Sequence, residues 1–156
     1  MALKPDRNHA EETDIRQHWL SSQTSAEKGG CASLSTAGSG VALDNAANLV
    51  SYAASASGAV PMGILLQTVS PVLSATRDFI NKSNLEVRPG DKVTLVRKGS
   101  LVTDMIIGTP AVGSGAYLAA SGNIGVDSAS GVNPLIGRWE TTVDADGFAR
   151  LAVQIP

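Results

Sequence analysis

Cysteine is almost missing from this sequence. Cys31 stands alone, so no internal disulfide can form and no second thiol exists for a Cys-based zinc site; a reducing compartment during folding follows from that usage. Histidine is nearly as scarce. His9 and His18 are nine residues apart, share no helical turn and match no H-E-x-x-H zinc arrangement, so both read as solvated or partner-facing. With no histidine beyond His18 and no G-x-S-x-G elbow, a Ser-His hydrolase has no base on the C-terminal part. Charged residues make up 17% of the chain, below the usual quarter, and aromatics 4%. The net charge of −2 lacks the basic footprint of a nucleic-acid binder, which argues against direct DNA or RNA contact. No apolar run reaches membrane-spanning length, and the charged start has no apolar signal region. The expectation is a soluble protein with no membrane partner and no secretory signal.

What is present is distributed unevenly. Across 156 residues, enough for one compact domain with an arm, residues 1–28 hold nine of the 26 charged side chains, residues 29–76 hold only Asp44, and the remaining 16 fall in residues 77–156. Three segments are predicted from this map: an N-terminal arm over 1–28, a low-charge packing or interface segment over 29–76, and a β-domain over 77–156. In the arm, the spacing of Ile15, Trp19 and Leu20 predicts one short helix around Glu11–Leu20 with these three on a shared face, capped by Thr13 or Asn8. Such a helix is too short to stand alone and must dock on something. Removing residues 1–25 is expected to leave the β-domain folded. The central segment, rich in Gly, Ala and Ser, shows helical hints in ALDNAANLVSYAA and an extended run in AVPMGILLQTV. Val41, Leu43, Leu49, Val50, Tyr52 and Ile64 to Leu66 favour packing over a free linker, and so uncharged a surface predicts burial in a subunit or partner interface.

The third segment reads as consecutive short strands. A Pro-Gly-Asp turn at 89–91 leads to a strand from Lys92 to Arg97, then a Lys98-Gly99 turn and a strand from Leu101 into Ile107. GTPAVGSG is a loop, and AYLAA, NIGV, LIGRWETTV and FARLAVQIP follow as strands, the last two joined by the hairpin turn DADG. The fold class is therefore mainly β, a small β-barrel or sandwich in the C-terminal half with an extended N-terminal arm.

Motifs that could carry chemistry have plainer readings. Cys31 in GGCASLS has no catalytic signature and reads as a small semi-buried residue. DADG lacks the further acidic ligands and terminal Glu of a calcium loop. GSGAYL has two of the three glycines of a dinucleotide fingerprint but no following helix. Glu86, Asp91, Asp104, Asp127, Glu140 and Asp146 lie in turns and at strand ends, and spacing alone gives no carboxylate pair for glycoside hydrolysis. Trp139 in GRWET reads as a core or interface residue with Arg138 and Glu140 on the opposite face. No metal, cofactor or catalytic residue is assigned.

RPGDKVTLVRKGSLVT, TPAVGSGAYLAASGNI and NPLIGRWETTVDADGFARLAVQIP, in that order, resemble the small β-barrel decoration, or cement, proteins of tailed-bacteriophage capsids. SGVALDNAANLVSYAASASGAVPMGILLQTV resembles the segment that precedes the barrel, so the resemblance covers most of residues 40–156. It implies a non-enzymatic virion protein, made in the host bacterial cytoplasm, that binds the outer capsid surface. Such a protein forms a homotrimer and holds adjacent major capsid proteins together against the pressure of packaged DNA. Ile15, Trp19, Leu20, Leu43, Leu49 and Tyr52 are the expected capsid or subunit contacts. The competing reading is a β-barrel carbohydrate- or cell-surface-binding module, a head fibre or adhesin, with Tyr117 and Trp139 as its only aromatic candidates. A carboxylate hydrolase on the same barrel comes third.

Overall fold

The last strand shows how this sequence makes a sheet. In ARLAVQ, Ala149, Leu151 and Val153 are buried, Arg150 and Ala152 half-buried and Gln154 exposed, the period-two pattern of a strand covering a core with one face. The computed structural model describes residue 3 and residues 8–36, 48–71 and 86–156. Among these the elements in chain order are β1 (His9–Asp14), β2 (His18–Trp19), β3 (Cys31–Leu34), β4 (Leu49–Ser51), β5 (Pro61–Leu65), β6 (Thr68–Val69), β7 (Glu86–Val87), β8 (Leu95–Thr103), β9 (Ile106–Ile107), β10 (Gly115–Leu118), β11 (Ile124–Gly125), β12 (Leu135–Trp139) and β13 (Ala149–Gln154). Among the described residues one 3-10 turn spans Ala120–Gly122.

Eleven strands form one sheet in the order β2-β4-β3-β5-β8-β13-β12-β10-β11-β9, with β1 added on β8, while β6 and β7 pair separately in parallel. The mainly β character expected from the sequence holds. The sheet does not close into a barrel; β2 and β9 remain its two ends, and the arrangement is sandwich-like. β8 is the shared strand. One of its edges carries β1 along Leu95–Ser100. The other is divided end to end, with β5 opposite Leu95 and Val96 and β13 opposite Lys98–Thr103.

Alternation along β3, β5 and β8 feeds two cores. Cys31, Ile64 and Val96 join Leu101, Leu118, Ile124, Ile136, Trp139 and Leu151 in the larger cluster. Their neighbours Ala32, Leu65 and Leu95 turn the other way and meet Trp19, Val50, Tyr52, Val69 and Val93. Strands buried on both faces read as continuous apolar runs rather than clean alternation, which explains the adjacent buried Ile64 and Leu65 in β5. Each fully buried Leu or Ile contributes about 1.5–3 kcal/mol.

Several local expectations give way to this topology. No helix forms over Glu11–Leu20: His9–Asp14 and His18–Trp19 are strands, because β8 and β4 offer their backbones a ladder while an isolated helix of that length is marginal in water. Ile15 and Trp19 consequently part company, Ile15 being 63% exposed and Trp19 fully buried. Of the helical hints in ALDNAANLVSYAA, Leu49–Ser51 is a strand and residues 42–47 lie outside the described residues. The Lys98-Gly99 turn is absent, since β8 runs straight through it. Gly99 has a φ of +152°, and a Cβ there would stand 2.2 Å from the His9 carbonyl oxygen; glycine is needed for the close approach of β1. Within the described part of residues 29–76, β5 pairs with β8, β3 with β5, β4 with β3 and β6 with β7. Residues 1–25 include β1, which pairs along one edge of β8, and Trp19, which is buried in the smaller core.

Other features hold. The turn before β8 forms over Arg88–Asp91, with Asp91 N bonded to the Arg88 carbonyl at 3.1 Å and Arg88 N donating to Asp91 Oδ2 at 3.2 Å. The DADG hairpin is held by Asp144, whose Oδ1 accepts the N–H groups of Asp146 at 3.0 Å and Phe148 at 2.8 Å.

Candidate functional site

The expected contact residues divide between surface and core. Trp19 donates its indole Nε1 to the Gln23 carbonyl at 2.8 Å and meets Tyr52 edge-on, ring centroids 5.3 Å apart and planes at 86°. Tyr52 is itself clamped: its backbone N donates to Gln23 Oε1 at 2.7 Å, its hydroxyl donates to the Glu27 carbonyl and accepts from Gly30 N at 3.2 Å, and burial pushes its pKa up. Leu20 and Leu49 are half-buried beside this pair, on the edge where His18 lies opposite Leu49 and Leu20 N bonds the Val50 carbonyl at 2.9 Å. The structure thus brings Trp19, Leu20, Leu49 and Tyr52 together and sets Ile15 apart, between β1 and β2. Leu43 lies outside the described residues.

Beside Ile15 a small groove of about 220 Å³ is lined by Glu12, Asp14, Arg16 and Arg97. Asp14 is its fixed point, 4% exposed. Arg16 reaches both carboxylate oxygens, Nε to Oδ1 at 3.2 Å and an Nη to Oδ2 at 3.1 Å, and Gln17 Nε2 adds a bond to Oδ2 at 3.0 Å. Chiefly through the Arg16 hydrogen bonds, the Asp14 pKa is held well below the usual carboxylate range.

A larger concavity, about 760 Å³, covers the outer face of β1, β8, β13, β12 and β10. Pairing register sets one row of residues across it: Gly115, Arg138, Ala152, Ser100 and His9 lie opposite one another in turn. Three of these five have little or no side chain, so the floor is nearly bare backbone. Tyr117 lies over Gly115, where an added Cβ would meet its ring at 2.8 Å, and Leu135 is 59% exposed at the same end. The charges are mostly engaged. Lys98 pairs with Glu11 at 2.8 Å, which lowers the Glu11 pKa and raises that of Lys98, and Ser100 Oγ donates to Glu140 Oε2 at 2.9 Å. Arg138 is exposed and has no ion pair among the described residues.

This surface is suited to contact. Cys31 is buried, and desolvation pushes its thiol up to about 12, far from thiolate chemistry at neutral pH. His18 bonds the Gly90 carbonyl through Nδ1 at 3.1 Å, while His9 lines the large groove, so the two do not converge there. Trp139 is fully buried, leaving Tyr117 as the one aromatic of the two that a sugar could meet. Among the described residues no three His, Cys, Asp or Glu side chains group as a metal site. Asp91 and Asp127 cap local backbone N–H groups, the work of turn residues. The groove itself was not legible as a site, because Gly99, Gly115, Gly137 and Ala152 are scattered in the chain and only the register assembles them.

A β-sheet body with both tryptophans buried carries an outer face on which glycine, alanine and serine alternate with charged side chains. The sequence matches, over residues 10–154, the family described as structural cement protein (E217 gp24/Pam3 gp6). The chain belongs to that family, a phage structural protein of the capsid-stabilising kind. No curated protein matches it.

Proposed function

We propose that this protein binds the outer surface of the mature phage capsid as a homotrimer and ties neighbouring major capsid proteins together against the pressure of packaged DNA. The observation that carries the reading is the family match across nearly the whole described chain, residues 10–154. Its role is structural rather than enzymatic. Leu20 and Leu49 supply half-buried apolar contacts at the β2–β4 margin of the sheet, with Ile15 exposed apart from them, and Trp19 and Tyr52 hold the β2–β4 margin rigid from beneath. Trimeric engagement would multiply modest single contacts into a durable clamp, which is what a cement requires.

Light scattering on the purified protein, before and after mixing with emptied, expanded phage shells that lack it, tests this reading. A trimer that co-sediments with shells in a saturable ratio is the expected result. A monomer that stays in the supernatant would overturn it, and binding to a glycan array instead would move the protein to the adhesin class.

A further inference from the structure

We propose that the hairpin turn over residues 144–147 is the place where this chain converts an aspartate to isoaspartate, at Asp146, and that Asp144 holds the conversion in check. The chemistry is independent of the capsid-binding role given above.

The sequence supplies the reacting pair. Asp146-Gly147 is the single Asp-Gly step in the chain, and no Asn-Gly occurs. Such a step can close on itself. The Gly147 amide nitrogen attacks Asp146 Cγ, a C–N bond forms, and the amide proton leaves with the carboxyl hydroxyl as water, giving a succinimide. Water then reopens the ring. Addition at Cγ restores aspartate, whereas addition at the Asp146 main-chain carbonyl breaks the original peptide bond and leaves the chain running through Cγ, one methylene longer. Glycine favours the attack because no side chain shields its nitrogen and its backbone reaches conformations closed to other residues. The structure leaves the pair open to water: residues 144–147 are exposed, Gly147 has a φ of +90°, and a Cβ built there meets nothing within 4 Å.

The same turn opposes the reaction. Gly147 N, the nucleophile, donates its proton to the Asp144 carbonyl at 3.1 Å, and a succinimide has no N–H, so ring closure must break this bond. Asp146 is held on its other side as well, its N donating to Asp144 Oδ1 at 3.0 Å. Phe148 N donates to the same Oδ1 at 2.8 Å, and Asp144 N donates to the Phe148 carbonyl at 2.8 Å. One residue thus ties the backbone on both flanks of the reacting carboxyl. The turn joins β12 to β13, each of which has a strand on both sides, so a longer main chain here falls between two interior strands.

The test uses the full chain as wild type, Asp144→Ala, Asp144→Asn and, as the blank, Asp146→Glu. Each is held warm at neutral pH for weeks, folded and in urea; isoaspartate is counted by methyltransferase labelling and located by peptide mapping. Thermal melts establish that each variant is folded, and the comparison of folded with urea-unfolded wild type needs no variant. Wild type should form isoaspartate at Asp146, more slowly folded than unfolded. A net hydrogen bond corresponds to about two- to twelve-fold in an equilibrium, so loss of the two bonds to Oδ1 in Asp144→Ala should speed the folded-state reaction by about five-fold or more. Asp144→Asn keeps the accepting oxygen and should stay near the wild-type rate, and Asp146→Glu should remove the signal. Isoaspartate arising first at Asp127 or another aspartate would overturn the assignment of the site. Wild type reacting as fast folded as unfolded, or Asp144→Ala reacting at the wild-type rate, would overturn the role of Asp144.

Discussion

Replacing Trp19 with alanine distinguishes a core role for this side chain from a peripheral one. Trp19 has no accessible surface, faces Tyr52 edge-on and bonds the Gln23 carbonyl. Truncating a buried tryptophan costs about 3–5 kcal/mol in lost transfer energy and cavity. The lost aromatic contact and the orphaned carbonyl, about 0.5–1.5 kcal/mol each, place this site toward the upper end. Against a total stability of about 5–15 kcal/mol, such a loss leaves a weakly folded chain. With a urea dependence of about 1–3 kcal/mol per molar, the unfolding midpoint should fall by roughly 2 M. Far-UV circular dichroism is the readout, since fluorescence would lose one of its two reporters. Trp19→Phe, which keeps most of the volume, should lose less. A midpoint that moves by under about 0.5 M while shell binding collapses would refute the core assignment and make Trp19 an anchor for a partner.

Gly137→Ala should destabilise more than a surface methyl warrants, because its Cβ would stand 2.1 Å from the Ala152 carbonyl oxygen and 3.1 Å from Val153 Cα. Backbone on the neighbouring strand cannot rotate away, so thermal unfolding should register a loss of about 1–3 kcal/mol or more; an unchanged melt would mean β12 and β13 are held differently. Arg16→Ala should show a pH-dependent effect. The depressed Asp14 pKa contributes stability that is present above the unfolded carboxyl value of about 3.9 and lost as pH falls through the folded value. Wild type and variant should therefore differ at neutral pH and converge in acid, and a gap constant from pH 7 to 2 would refute the linkage. Cys31, buried and with its thiol raised to about 12, should resist a disulfide reagent such as DTNB in the folded protein and react once urea unfolds it; rapid labelling of the folded chain would contradict its burial.

Strands whose neighbours lie close in the chain were legible from sequence. Alternation marks β13, DADG marks the hairpin before it, and Pro89-Gly90-Asp91 marks the turn ahead of β8. The N-terminal strands were not legible, because HAEETD and HW owe their conformation to β8 and β4 rather than to their own residues. Ile15 and Trp19 have the i, i+4 spacing that suits a helix, but here an irregular link at residues 15–17 lies between two strands, where the Asp14 carboxylate gathers Arg16 and Gln17. Gly99 shows why local signals mislead: glycine after lysine reads as a turn, yet its missing side chain serves the contact with His9. The acidic residues named in advance lie in turns and at strand ends and Trp139 lies in the core, whereas Trp19 and Tyr52, named as contact residues, are buried in the smaller core. The groove required knowing which residues stand opposite one another across five strands.

The two-edged pairing of β8 carries a consequence for how the protein comes into being. His9 finds its partner Ser100, and Lys98 its partner Gln154, far along the chain. At a synthesis rate of about 5–20 residues per second, β1 leaves the ribosome roughly 5–20 s before β8 is made. During that interval its backbone has no native mate, and β8 must in turn wait for β13. Sheets assembled from such distant pairings fold slowly, so yield in the host should depend on temperature and chaperones during translation more steeply than the finished protein's stability would suggest.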